Sequence, residues 1–237
     1  MLTRRVMATG EDMPVIGLGT WQVFDVDATP AELAPRREVL EILFSAGGRM
    51  IDSSPMYGRS EEITGTLLRQ MHARDKAYLA TKVWTQGEAA GIAQMQTSMA
   101  RMQAGKTIDL IQIHNLVDWR THLKTLRKWK DEGRVRAIGL THYTVSSLDD
   151  LAQVIRSEKV DFVQCVHSIG VRSAEDRLLP LCAEKGVATI INQPFGQGAH
   201  FQKVRGKPLP DWAAEMGCKR RRQNPSLRQP SRSVAPE

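Results

Sequence analysis

Short, nearly unbroken apolar runs alternate with longer amphipathic stretches along most of the chain. Seven of the runs read as strands, at 15–20, 50–52, 77–83, 108–114, 135–141, 162–166 and 187–192. Such apolar continuity suits parallel strands covered on both faces. Thr29 stands three residues before Glu32, a capping-box spacing, and predicts a helix to about Ala46 that Gly47-Gly48 ends. Further helices are expected at 60–71, 92–102, 120–132, 147–156 and 174–185, the last with Pro180 as an internal cost.

Seven β-then-α alternations leave an α/β barrel or a doubly wound sheet. The polar residues favour the barrel. Asp52, Lys82, His114, Thr141, Gln164 and Asn192 each fall at or near the C-terminal end of an expected strand. In a (β/α)8 barrel those ends converge on one mouth, whereas in an open sheet the ends of distant strands do not meet. The pattern stops one unit short. After Asn192 come a Gly-rich loop and a short helical stretch at 211–216, with no eighth strand in view. The expected fold is therefore a TIM-type (β/α)8 barrel, incomplete, with the last βα unit missing.

Composition divides the chain in two. Residues 1–218 carry the barrel pattern; residues 219–237 hold six basic side chains against Glu237 and few apolar ones, and are expected to be a basic, disordered tail. Of the net charge of +7, the tail accounts for +5, so the high isoelectric point does not imply a nucleic-acid face on the barrel. No run of about 18 apolar residues suggests a membrane span. Arg4-Arg5 is followed by Ala8-Thr9-Gly10-Glu11-Asp12 rather than an apolar segment, which argues against an export signal and for a cytoplasmic protein. Cys165, Cys182 and Cys218 are scattered, so neither a disulfide framework nor a metal site is expected.

Four ionisable residues invite a chemical reading. Reducing a carbonyl by hydride transfer needs a proton for the oxygen and a group to hold it as negative charge develops. A tyrosine can give the proton, a nearby ammonium favours its phenolate, a carboxylate can balance that ammonium, and a neutral histidine can donate to the oxygen. Tyr57, Lys82, Asp52 and His114 supply these groups on neighbouring strand ends. Bland readings stand beside this one: Asp52 as a turn cap, Tyr57 as a packed loop aromatic, Lys82 with its amine reaching solvent, His114 as a core histidine.

Several motifs in order resemble the aldo/keto reductases across roughly residues 4–216. They are Pro14-Val15-Ile16-Gly17-Leu18-Gly19-Thr20-Trp21, Ile51-Asp52-Ser53-Ser54-Pro55-Met56-Tyr57-Gly58, Ala80-Thr81-Lys82-Val83-Trp84, Ile108-Asp109-Leu110-Ile111-Gln112-Ile113-His114, Gly133 through Thr141, and Phe162-Val163-Gln164. The resemblance implies reduction of a small aldehyde or ketone by hydride from NADPH, with Tyr57 as general acid, Lys82 and Asp52 tuning it, and His114 orienting the carbonyl. It assigns Thr141, His142, Gln164 and His167 to the cofactor and Trp21, Met56 and Trp84 to the substrate pocket. Thr141-His142 replaces the family's usual Ser-Asn, and His167 stands where a tyrosine usually stacks. The C-terminal unit that closes the family's barrel and carries its 2′-phosphate motif is not visible, as if the pattern were interrupted near Cys218. A catalytically impaired fragment, or a member that binds nucleotide or a partner without turnover, is the alternative.

Overall fold

The computed structural model describes residues 1–208, 210, 212 and 232–234, the last three by backbone alone. A β-hairpin, β1 (Thr3–Val6) and β2 (Glu11–Pro14), precedes the barrel. Seven parallel strands follow: β3 (Ile16–Gly19), β4 (Met50–Asp52), β5 (Tyr78–Val83), β6 (Ile108–His114), β7 (Val135–Thr141), β8 (Phe162–Val166) and β9 (Ala188–Asn192). Six helices connect and cover them: α1 (Pro30–Ser45), α2 (Ser60–Gln70), α3 (Glu88–Arg101), α4 (Trp119–Asp131), α5 (Leu148–Ser157) and α6 (Leu178–Lys185); α7 (Ala199–Lys203) comes after β9. The incomplete (β/α)8 architecture is as expected, and no eighth parallel βα unit occurs among the described residues.

Two features were not foreseen. The hairpin is one: its inward residues Val6 and Met13 pack into the bottom of the barrel. The other is the closure. β10 (Arg232–Val234) lies antiparallel between β3 and β9, pairing Arg232 with Gly17 and Ser233 with both Ile16 and Ile191. It falls inside the stretch expected to be a tail. The rest of 219–237, and the stretch 211–216 apart from Trp212, lie outside the described residues.

The helix starts follow local chemistry. The Thr29 side chain accepts from the Glu32 N–H, 3.3 Å away, as the capping-box spacing implied. Pro180 does not sit mid-helix, because α6 begins at Leu178 and the proline falls in its first turn, where no intrahelical donor is lost. Residues 173–175 form a separate 3₁₀ turn.

Strand alternation sorts the side chains into two layers. One set, including Ile51, Leu79, Val83, Ile111, Ile113, Ile138, Leu140, Val163, Cys165 and Ile191, joins the helices in the larger core. The other set points into the barrel. Its lower members are apolar: Met50, Tyr78, Ala80, Leu110, Ala137, Phe162 and Ile190. Two residues further along each strand the inner position turns polar: Asp52, Lys82, Gln112, Gln164 and Asn192, all buried. The barrel interior thus runs from hydrocarbon at its floor to hydrogen-bonding groups at its mouth. Gly139 belongs to the same layer. A Cβ there would stand 2.8 Å from the Phe162 carbonyl and 3.1 Å from Gln112 Cγ, so the missing side chain leaves room for the glutamine.

Candidate active site

Lys82 is the centre of the mouth. β5 carries it inward to a position where the residue is wholly buried. Its Nζ donates to Asp52 Oδ2 at 2.7 Å and to the Ser53 carbonyl at 2.6 Å. A third hydrogen bond joins it to Tyr57, and Nζ stands 4.9 Å from the centre of that ring. The three ammonium donors therefore have three partners. Burial holds the Lys82 amine below the ordinary lysine range, while Tyr57 and then Glu61 pull it back up.

Asp52 is shared more widely than the sequence suggested. Its Oδ1 accepts from Gln112 Nε2 at 3.1 Å and from Gln164 Nε2 at 3.0 Å. Gln164 in turn accepts the Thr141 hydroxyl at 2.9 Å. Strand register explains the grouping: Lys82 pairs across β5–β6 with Gln112, and Thr141 across β7–β8 with Gln164. A buried chain of polar contacts thus runs from Thr141 through Gln164 and Asp52 to Lys82 and Tyr57.

Tyr57 lies on the turn after β4. Its N–H bonds the Ser54 carbonyl at 3.0 Å, and its own carbonyl takes the Ser60 N–H that opens α2. The next residue, Gly58, has φ +56°, and a Cβ there would collide with the Asp25 carboxylate at 2.2 Å. That carboxylate accepts the Arg59 N–H at 2.9 Å, so the loop after β3 braces the tyrosine turn.

His114 ends β6 beside these groups. The Tyr57 ring meets it edge-on with centroids 6.2 Å apart, and the Trp84 ring lies equally near. Its Nδ1 is 3.3 Å from the Ser54 hydroxyl. Burial, reinforced by Lys82 and His142, lowers its pKa to about 3, so the imidazole is neutral at ordinary pH.

The remaining expected residues are placed less uniformly. Trp21, Met56 and Trp84 follow β3, β4 and β5 and are unusually exposed for their size, at 38%, 45% and 37%. His142 turns into its own loop: its Nδ1 accepts the Thr144 N–H at 3.3 Å and its Nε2 lies 3.1 Å from the Ser147 hydroxyl. Both ring nitrogens are therefore occupied locally. His167 Nε2 is 3.5 Å from Glu175, while its Nδ1 is buried without a partner among the described residues, as is Asn192 Oδ1 at the end of β9. The sequence reading missed Ser54 and Gln112. Gln112 had a signal, a lone amide between Ile111 and Ile113 with the same facing as His114 two residues on. Ser54 had none apart from its place within the tyrosine motif.

Comparison with known proteins bears on the fold and the family. An aldo-keto reductase of Bacillus subtilis, YhdN, is 25% identical over 237 residues, covering 94% of this chain and 69% of that protein. An Escherichia coli protein named NADH-specific methylglyoxal reductase is 25% identical over 213 residues, covering 77% of this chain and 64% of its own length. A crystal structure of an aldo/keto reductase from Klebsiella pneumoniae in complex with NADP and acetate has the same fold, with a TM-score of 0.69 and 22% identity over 85% of this chain and 70% of that one. No helix among the described residues is long and apolar enough to cross a membrane. The model of the aldo/keto reductase family matches residues 15–224, nearly the whole of the chain, and the protein accordingly belongs to that family of oxidoreductases.

Proposed function

We propose that this protein reduces the carbonyl of a small aldehyde or ketone, with NADPH as the reductant, at the mouth built by Asp52, Tyr57, Lys82 and His114. One observation carries the proposal: a buried lysine whose three donors go to a carboxylate, a carbonyl and a tyrosine, beside a neutral histidine. That arrangement suits a proton delivered to an oxygen whose negative charge is only then developing. Tyr57 gives its phenolic proton to the carbonyl oxygen. Lys82, held by Asp52, stabilises the phenolate left behind, and neutral His114 donates a hydrogen bond to the same oxygen. Trp21, Met56 and Trp84 form the apolar walls around it.

The residues present fit the nicotinamide end of the cofactor. A carboxamide offers both a donor and an acceptor, and two buried atoms near the strand ends, His167 Nδ1 and Asn192 Oδ1, lack partners among the described residues. Thr141 and Gln164, paired across β7–β8, lie on the same strand ends, where Val166 pairs with Asn192 across β8–β9, with His142 in the loop after β7. When bound, NADPH supplies the hydride that ends on the carbonyl carbon. The bound NADP of the Klebsiella protein supports this choice, while the name of the Escherichia coli relative points to NADH. Small aldehydes are chosen on the same footing, from the methylglyoxal in that name.

One observation favours a second reading, binding without turnover. A three-residue antiparallel strand occupies the place of the eighth βα unit. A single experiment separates the two. The full chain is titrated with NADPH and with NADH by nicotinamide fluorescence, and methylglyoxal is then added. Consumption of NADPH with formation of alcohol is the expected result. Tight binding with no consumption supports the second reading, and no binding of either nucleotide sinks both.

A further inference from the structure

The turn after β4 does more than present Tyr57. Within five residues it supplies the Ser53 carbonyl to Lys82, the Ser54 hydroxyl to His114, and the tyrosine itself. Ser54 is fully buried, and its oxygen already accepts the Met56 N–H at 3.3 Å. The hydroxyl hydrogen still needs an acceptor. His114 Nδ1, at 3.3 Å, is the acceptor that the geometry offers.

We propose that Ser54 is a positioning residue for His114: its hydroxyl donates to Nδ1 and so keeps the ring proton on Nε2. The inference rests on the carbonyl-reductase reading above for its functional consequence, though not for its structural content. A neutral imidazole has one donor and one acceptor nitrogen, and the partner of one fixes the role of the other. If Nδ1 carried the proton, it would give that proton to Ser54. The serine oxygen would then accept twice, and its own buried hydrogen would go unpaired, which costs more than a typical hydrogen bond returns. With the proton on Nε2, every hydrogen in the group has an acceptor or faces the mouth. Nε2 has no hydrogen-bond partner among the described residues, and His114 is only partly buried, so that N–H is the one left to meet a substrate oxygen. The flanking rings of Tyr57 and Trp84 limit how far the imidazole can turn away.

The test uses the full chain with ¹⁵N-labelled histidine, the His114 signals being identified by their loss in His114→Gln. The unmodified protein is expected to show a protonated Nε2 and an unprotonated Nδ1. Ser54→Ala should give a mixture of the two forms, while Ser54→Thr, which keeps the hydroxyl, should restore the first. In turnover of a small aldehyde, Ser54→Ala should lower kcat about fivefold, the worth of one net hydrogen bond, with NADPH affinity unchanged and Ser54→Thr close to normal. A protonated Nδ1 in the unmodified protein overturns the proposal. So does a Ser54→Ala variant with unchanged His114 signals, and the unmodified spectrum decides the matter even if the alanine variant does not fold. Absence of turnover in every form, with the signals responding to Ser54→Ala, would instead count against carbonyl reduction and leave the positioning role standing.

Discussion

The two ends of this barrel are both charged, and they use charge differently. At the floor, Asp109 takes the Leu79 N–H at 2.9 Å together with Arg74 and Arg136, and Asp161 takes the Ile138 N–H together with Lys130. Glu11 of the hairpin reaches Arg136 at 2.7 Å. The two aspartates bind backbone donors, and all three carboxylates bind basic side chains that reach solvent, so they fasten strands to one another and to the hairpin plug. At the mouth, the lysine is sealed from water, its pKa is depressed, and buried amide and imidazole atoms stand without partners. Among the described residues both ends keep a few unpaired buried atoms, Arg74 Nε at the floor and His167 Nδ1 and Asn192 Oδ1 at the mouth, but only at the mouth do they adjoin a sealed lysine and a neutral histidine. The difference matches the general division of barrel enzymes between a stabilising face and a reactive one.

The sharpest way to break this comparison is at Tyr57. Tyr57→Phe should lower kcat/KM for a small aldehyde by about 10²–10⁴-fold, the usual worth of general acid catalysis, with the melting temperature and NADPH affinity nearly unchanged. Lys82→Met should also abolish turnover, but it leaves Asp52 buried without its cation and should cost about 3–5 kcal/mol of stability as well. Steady-state kinetics paired with thermal unfolding separates the two patterns. Equal turnover in Tyr57→Phe and the unmodified chain would remove the tyrosine from the chemistry.

The floor should respond in the opposite sense. Asp109→Ala strands the buried Leu79 N–H and frees two arginines that are a third or more exposed, at 34% and 39%. Discounting those partly solvated ion pairs, the expected loss is about 1–3 kcal/mol in denaturant unfolding, with kcat untouched. A large fall in kcat with normal stability would mean that the two ends are not independent.

Much of this was legible from residue pattern. The bounds of β6, β7 and β8 follow directly from their apolar runs, and the polar residues at strand ends identified both the barrel and its mouth. The bringing together of Asp52, Tyr57, Lys82 and His114 follows from that geometry. What escaped was set by tertiary context. The hairpin before the barrel contains Arg4, Arg5, Glu11 and Asp12, and its few apolar positions make sense only against the barrel floor. The pairing of β10 joins residues more than two hundred positions apart in sequence, through a stretch whose composition argues against any strand. The shared hold of Gln112 and Gln164 on Asp52 depends on cross-strand register, which no local pattern encodes.

pH gives a smaller effect, again specific to the mouth. His114 has a pKa of about 3 when folded, against the usual 6.5. Between those values the unfolded chain takes up a proton that the folded one refuses, so this residue's contribution to stability falls as pH drops through that window and is fully present above about 6.5. Replacing it in His114→Gln should flatten the acid side of the stability profile in urea unfolding. A profile of unchanged slope would contradict the burial of a neutral ring.

The smallest expected effect lies at the seam. β10 pairs through only two residues on each side, whereas β6 and β7 pair along their length. Amides of Ile16, Gly17, Ile190 and Ile191 should exchange with solvent faster than those of Ile111 and Ile113. Equal protection would make the antiparallel closure as firm as the parallel wall.

The central claim, that hydride passes to a carbonyl at this mouth while Tyr57 gives the proton, is tested most directly by isotope transfer. The full chain and its Tyr57→Phe variant are each given NADPH carrying deuterium at the transferable position of the nicotinamide, together with a small aldehyde, and the alcohol is analysed by mass spectrometry. The account predicts one deuterium per molecule of alcohol from the unmodified chain and almost none formed by the variant in the same time. Deuterated alcohol appearing at equal rates from both, or none from an unmodified chain that binds NADPH, would contradict it.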